Sequence, residues 1–461
     1  MKFGGTSVAD ESCIINVANI IEQSFKNGNH IAVVVSAMRG VTDQLHSIAE
    51  EATTCKNFSQ IEAFLQSLQI RHMKVLEAVA PGFAEEASAI IDGKFSNLRH
   101  ILSSVYDLKE LTPRSNDYVI SFGERLSAVI LSLALRQKEI NSAAMDGCEA
   151  GVITTEKHGN AIILPESGYH MKSRIEPHMN ESVPVITGYM GCSKEGVVTT
   201  LGRSGSDYSA ASIGAALDCD EIWIWTDVDG VMTADPKIID DARVLPTISC
   251  SEAMELSYFG AEVLHPKSIE PAMLKGIPVR VKNTFNPVNP GTRIVKDEVH
   301  DDRVVKAITY IDQVALLNIN GPQMIGRPGV LKTIFTALAE YGVNIMMISQ
   351  GSSEANISLV IDEGQLNEAL KALTPCLSQC LVREITSDRE IIAMAVVGAG
   401  MAGTPGTGGK IFSALGTADI NLMMISQGSS EVNISFVVCS EDGPRALRVL
   451  HNEFRLSEEI F

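Results

Sequence analysis

Two stretches decide how this 461-residue chain is read: NIMMISQGSSEANISLV at 344–360 and NLMMISQGSSEVNISFV at 421–437. They stand 77 residues apart and agree at fourteen of seventeen positions, differing only at Ile345/Leu422, Ala355/Val432 and Leu359/Phe436. The same offset aligns Gly321 with Gly398, Met324 with Met401, Gly326 with Gly403 and Pro328-Gly329 with Pro405-Gly406. Such identity at a fixed period marks a duplicated module. Within the first copy, an apolar run at 314–319 ends in Gly321-Pro322, and residues 330–341 repeat apolar positions at helical spacing. Strands near 344–349 and 355–361, a helix near 364–373 and a strand near 379–385 complete a βαββαβ order, the ferredoxin-like layout. The second copy repeats this through a helix at about 442–452, but its tail, FRLSEEIF, is a poor strand. The good strand VVKAITY at 304–310 has no partner in the first copy, so we expect it to complete the second sheet. The modules are then 312–385, and 303–311 plus 390–461.

The preceding residues have a different texture. Apolar, β-branched runs at 31–35, 183–186, 221–225 and 277–281 alternate with helical patterns at 10–26, 57–79 and 115–137. This predicts an α/β domain with a mostly parallel central sheet and helices on both faces. Turn signals in NTFNPVNPGT (283–292) and the polar run at 297–302 put its end near residue 295.

Composition narrows the function. Hydrophobic residues make up 45% and charged residues 20%, with a net charge of −19. That balance argues for a folded chain and against nucleic-acid or anionic-membrane partners, which need a basic face. No window approaches 18 consecutive apolar residues and the N-terminus lacks a signal-peptide pattern, so a cytoplasmic location is expected. The nine cysteines are scattered without zinc spacing and read as free thiols.

Four segments carry chemistry. Lys2-Phe3-Gly4-Gly5-Thr6-Ser7 runs from a strand into a helix, where glycine amides and a mobile cation can hold a phosphate, although it is not a Walker loop. TLGRSGSDYS (200–209) again places amides and hydroxyls at a helix start, with Arg203 suited to a carboxylate and Asp207 to a metal. There, Ser206 or Asp207 could instead serve as a helix cap. WTDVDGV (225–231) ends a strand with acids where open α/β sheets take ligands. In SFGER (121–125), Glu124 could accept an ammonium or join a surface ion pair.

Taken together, KFGGTS, VVVSAMRGVTDQL (33–45), SFGERLS, TLGRSGSDYSAA, EIWIWTDVDGV and MELSYFGAEVLHP (254–266) resemble the aspartate kinases of the amino acid kinase superfamily. The repeated module resembles their paired ACT regulatory domains. The resemblance implies transfer of the ATP γ-phosphoryl group to the side-chain carboxylate of L-aspartate, with Mg²⁺ arriving on the nucleotide rather than on a metal site of the chain. It implies that Lys2 and Asp207 are catalytic. Lys2, Phe3, Gly4, Gly5, Thr226, Asp227, Met232, Lys237, Glu262 and Val263 then face ATP, and Thr42, Glu124, Arg203, Ser206 and Asp207 face aspartate. Three positions depart from the family pattern: Met232, Lys237 and Glu262 replace Tyr, Arg and Lys, and Glu262 reverses a charge. Gln350 and Gln427 match glutamines implicated in effector recognition, which favours threonine over lysine as feedback inhibitor. ACT pairing between chains implies a homodimer or homotetramer. No dehydrogenase module follows residue 461, which implies a monofunctional enzyme, and relatives begin a few residues before the position of Met1. The competing readings are a glutamate 5-kinase-like enzyme and a non-catalytic amino-acid sensor on the same fold.

Overall fold

The structure is a computed structural model that describes residues 1–179, 182–260, 264–297, 303–378 and 381–458. It forms two compact units: Met1–Val231 with 263–296, and 232–262 with 297–461.

In the first unit, seven strands and five helices position the chemistry. The strands are β1 (Lys2–Phe3), β2 (Val33–Val35), β3 (Ser142–Met145), β4 (Val183–Thr187), β5 (Ile222–Thr226), β6 (Val279–Asn283) and β7 (Thr292–Val295). The helices are α1 (Glu11–Lys26), α2 (Val41–Thr54), α3 (Pro113–Ile120), α4 (Phe122–Gln137) and α5 (Gly205–Ala216). The strands lie in the order β3-β4-β2-β1-β5-β6-β7, parallel except for β7. Because β1, β2, β4 and β5 are near-continuous buried runs, both faces of the sheet are covered, as in parallel sheets generally. Register pairs Phe3 with both Val35 and Trp225, and Val35 with Thr187. The strand ends at Gly4, Ser36, Gly188 and Asp227 therefore share one edge. The chain runs outward from β1 through β2 and then returns to β5 on its other side, which makes the β1/β5 boundary the topological switch point where such sheets bind ligands. Among the described residues, the run Pro113–Gln137 is long and apolar enough to span a membrane, yet 89% of its apolar 18-residue window is buried in the fold. It is the core helix against which β3 and β4 pack.

The second unit holds two antiparallel sheets. One comprises β9 (Val314–Asn320), β10 (Ile345–Gln350), β11 (Asn356–Asp362) and β12 (Glu384–Asp388) in the order β10-β11-β9-β12. The other comprises β8 (Ala307–Ile311), β13 (Ile391–Val397), β14 (Met424–Ser426) and β15 (Asn433–Cys439) in the order β8-β13-β15-β14. Ala307 pairs with Val397 and Ile311 with Ala393, so β8 joins the second sheet and the first module lies between β8 and β13 in sequence. The repeat is visible down to backbone conformation, since Gly329 and Gly406 start equivalent helices at φ 92° and 90°.

Residues 232–262 lie inside the expected kinase-domain span of 1–295 but pack with the second unit. The cause is polar and buried. In α6 (Cys250–Tyr258), Glu252 caps its own helix through Ser249, accepts from the Ala399 N–H at 2.7 Å and meets Lys306 Nζ at 3.2 Å. Thr233 Oγ1 and His451 Nε2 lie 3.1 Å apart, and the Tyr310 hydroxyl donates to Asp235 at 3.2 Å.

Candidate active site

Lys2 sits on the central strand with its Nζ 2.6 Å from Asp207 Oδ1, and both side chains are nearly buried, at 11% and 13% exposure. Asp207 lies in the first turn of α5, but neither it nor Ser206 caps that helix. Ser204 holds the N-cap position and makes no side-chain cap bond. The acid is thus committed to the lysine. The Gly4 N–H donates to the Trp225 carbonyl at 3.2 Å, which ties the glycine turn to the end of β5. Phe3 stacks on Trp225 and is fully buried, with its carbonyl accepting from the Ser36 N–H. Its side chain is core and the Gly4 N–H is taken by Trp225, which leaves Lys2 and the Gly5 amide as the donors of the KFGG segment that can face a phosphate.

Glu124 opens the core helix α4. A side chain at Gly123 would place its Cβ 2.6 Å from Ala37 Cβ, so only glycine lets α4 approach the loop after β2 this closely. That approach brings Glu124 Oε1 to the Ala37 N–H, which donates at 3.1 Å, and sets the helix start against Thr42 of α2. Glu124 is 2% exposed, and its Oε2 has no partner among the described residues. Burial pushes its pKa up to about 8, against the pull of the Ala37 hydrogen bond. This is no surface ion pair. An unpaired buried carboxyl is costly unless a cation arrives to meet it.

Arg203 is exposed on the turn between β-strand residue Thr200 and α5. The next residue, Ser204, is held at φ 56°, a left-handed conformation that costs a non-glycine residue about 1–3 kcal/mol and recurs at functional sites. Ser206 fills the space left by Gly188, where a Cβ would come within 2.7 Å of the serine side chain. Thr226 Oγ1 donates to Asp227 Oδ1 at 3.1 Å, and Asp229 is held by the amides of Asn283 and Asn286. Lys2, Gly4, Gly5, Thr42, Glu124, Arg203, Ser206, Asp207, Thr226 and Asp227 all belong to the first unit. Met232 and Lys237 belong to the second, where the Lys237 N–H donates to Asp235. Glu262 and Val263 lie outside the described residues.

Sequence reading passed over Asp117. This fully buried acid on α3 accepts from Thr200 N–H (3.1 Å), Thr200 Oγ1 (2.6 Å) and Gly159 N–H (3.0 Å), and stands 2.6 Å from His158 Nδ1. It fastens the strand end that leads into Gly202-Arg203. Its only signal in the sequence is its place two helical turns before Glu124. Asp117→Asn turns an amide NH₂ toward donors, and we expect a loss of roughly 1–3 kcal/mol in stability, measured as a lower urea midpoint at unchanged slope.

The sequence matches the amino acid kinase family over residues 1–283. The chain belongs to the amino acid kinase family. Two further segments of this amino acid kinase, 317–375 and 394–454, match the ACT domain. It is 36% identical to the chloroplastic aspartokinase 2 of Arabidopsis thaliana, covering 98% of this chain and 84% of the relative. It is equally identical to the chloroplastic bifunctional aspartokinase/homoserine dehydrogenase 2 of the same plant, across 99% of this chain and 50% of the relative. The chain thus spans about half the length of the bifunctional relatives it matches. Among solved structures, the kinase is similar to E. coli aspartokinase III in complex with lysine and aspartate, with a TM-score of 0.82, 27% identity and 98% coverage of both chains. The E. coli enzyme has also been solved with aspartate and ADP, and that structure matches with a TM-score of 0.79, 26% identity and 98% coverage of both chains.

Proposed function

We propose that this amino acid kinase is an aspartate kinase, which moves the γ-phosphoryl group of ATP to the side-chain carboxylate of L-aspartate to give 4-phospho-L-aspartate, the first step toward lysine, threonine and methionine. The observation that carries the reading is the Lys2–Asp207 pair at the switch point of the sheet, 2.6 Å apart and beside the glycine turn. A carboxylate is already a nucleophile at neutral pH, so no general base is needed, and catalysis consists of alignment and charge neutralisation. Lys2 and the Gly5 amide would meet the transferring phosphoryl oxygens, while Gly4, whose N–H is held by Trp225, leaves open the space beside Lys2 Nζ that a side chain would occupy. Arg203 would clamp a carboxylate of aspartate, with Thr42 and Ser206 completing the pocket, and Glu124 would meet the α-ammonium. Thr226 and Asp227 would contact the nucleotide, while the nucleotide roles of Met232, Lys237, Glu262 and Val263 rest on family resemblance alone. Mg²⁺ would enter with the nucleotide rather than on a metal site of the chain, and Asp207, paired with Lys2, would complete the aspartate pocket.

Glu124 sets a pH signature. With its pKa near 8, it is mostly protonated at pH 7 and becomes a carboxylate as pH rises through 8. Only the carboxylate pairs with an ammonium, so KM for aspartate is expected to fall as pH rises from 7 to 8, and Glu124→Gln should flatten that dependence.

The ACT modules support feedback control. Gln350 ends β10 and Gln427 directly follows β14, both exposed, and Ser426 Oγ donates to the Ile348 carbonyl at 3.3 Å where these two strands meet. An amino-acid effector is supported by the lysine complex of the E. coli relative, and the glutamine pair favours threonine for this chain. Assembly through ACT domains into a homodimer or homotetramer and a cytoplasmic location belong to the same proposal. A glutamate 5-kinase-like activity or a non-catalytic sensor is not favoured by the aspartokinase relatives. The test is ADP release from ATP that depends on added L-aspartate, repeated with threonine and with lysine. Inhibition by threonine, weakened at least tenfold in Gln350→Ala or Gln427→Ala, is expected. Activity indifferent to both amino acids would remove the regulatory part.

A further inference from the structure

In the first unit, the loop after β2 packs against the glycine turn and roots a second long cation beside it. A side chain at Gly5 would put its Cβ 3.0 Å from the Ala37 carbonyl oxygen and 3.8 Å from both the N and the Cα of Arg39. A side chain at Gly4 would begin 3.5 Å from Lys2 Nζ. Lys2 and Arg39 are thus the cations next to two consecutive glycines of one turn. The loop itself is fixed by its backbone. Its Ser36 N–H donates to the Phe3 carbonyl at 3.1 Å, and its Ala37 N–H donates to Glu124 at 3.1 Å. From the helix Ser59–Val79, Arg71 Nη2 donates to the Arg39 carbonyl at 3.1 Å and to the Ala9 carbonyl, just before α1, at 3.3 Å. One guanidinium therefore ties the loop after β2 to the loop after β1. Gly40 then turns the chain at φ 76° and starts α2 without a side-chain cap, which leaves the positive end of that helix open. The Arg39 side chain is the exception to this order. It is exposed, and its guanidinium has no acceptor among the described residues. In a chain of net charge −19, a guanidinium without a carboxylate, on a loop whose backbone is held at each end, is a donor fork that lacks its anion.

We propose that Arg39 contacts the γ-phosphate of ATP, with Arg71 as the positioning residue that holds the Arg39 backbone against Gly5. The proposal rests on the nucleotide reading of the Lys2 site, and not on aspartate being the acceptor. The order of the strands selects the γ-phosphate. In the sheet, β1 lies between β2 and β5. The nucleotide side of the site is the β5 end, with Thr226 and Asp227, and the acceptor side is the β2 end, with Thr42 and Glu124 against the same loop. A phosphate chain laid across the glycine turn from β5 toward β2 brings its last phosphate, the one next to the acceptor, to Arg39. The planar fork of Arg39 can bind two of its oxygens at once. ADP lacks this group, so Arg39 makes the site prefer the triphosphate to the diphosphate, which favours release of the spent nucleotide.

Binding reads this contact without turnover. Titration calorimetry on the full chain, without aspartate, compares MgADP with the magnesium complex of an ATP analogue that carries an imido bridge between its β and γ phosphorus atoms. Arg39→Ala is expected to weaken the analogue about tenfold and to leave ADP within about twofold of the wild type, since the lost bond is to a charged group found only on the analogue. Arg39→Lys should recover part of the loss, because it keeps the charge without the fork. Arg71→Ala should weaken the analogue in the same direction by about threefold, and should add nothing to Arg39→Ala, because it acts through that residue. Equal weakening of both nucleotides, or wild-type binding of the analogue by Arg39→Ala, would overturn the assignment of Arg39. An Arg71→Ala loss that adds fully to that of Arg39→Ala would overturn the positioning role. A wild-type chain that binds neither nucleotide would overturn the nucleotide reading and this proposal with it.

Discussion

Replacing Lys2 with alanine is expected to lower kcat by roughly 10³ while the fold stays intact, because removal of one preorganised cation from a phosphoryl-transfer site costs about this much. The kinase has few other ways to supply that charge. Its net charge is −19, and the donors at the switch point are Lys2, the Gly5 amide and Arg203, of which, among the described residues, only Lys2 is held by a carboxylate 2.6 Å away. The fold survives because β1 is anchored by its backbone to β2 and β5 and by Phe3 stacked on Trp225, none of which involves the lysine head. Lys2→Arg keeps the charge but replaces a compact ammonium by a planar fork, so partial activity is expected. Circular dichroism and steady-state kinetics on the two variants separate the outcomes, and near-full activity in the alanine variant would refute the assignment.

Lys306→Met should destabilise the second unit by about 3–5 kcal/mol, the usual result of removing one partner from a buried pair. Lys306 and Glu252 are 1% and 0% exposed, and the variant strands a carboxylate that, among the described residues, retains only neutral donors, the Ser249 hydroxyl and the Ser249 and Ala399 amides. Glu252→Gln is expected to cost less, since an amide still accepts from Ala399. Changing both residues should not restore full stability, because Glu252 also completes the capping box of α6. Denaturant unfolding of the three variants measures the coupling as a double-mutant cycle. Additive effects of the two changes would mean that the pair is not coupled.

Much of this architecture was legible because periodicity survives in sequence. The repeat at 344–360 and 421–437 placed two equivalent sheets, and the unmatched strand at 304–310 reappears as β8 beside β13. The apolar runs of the parallel sheet needed no partner to be recognised. Buried polar contacts between distant residues are different, since Lys306 and Glu252 are 54 positions apart and nothing local marks either as buried. For that reason nothing in the sequence shows that 232–262, inside the kinase-domain span, packs with the second unit. Asp117 was missed on the same ground, since its partners at 159 and 200 come from other segments. Phe3 shows what a motif leaves out: it names adjacent residues, but strand geometry turns the Phe3 side chain into the core while Lys2 meets Asp207.

The most direct measurement traps the product. Incubated with MgATP and hydroxylamine, the purified chain should form the hydroxamate of L-aspartate in step with ADP and give at least a hundredfold less with L-glutamate. ADP formation without aspartyl hydroxamate, or equal trapping of glutamate, would contradict the assignment of this amino acid kinase to aspartate.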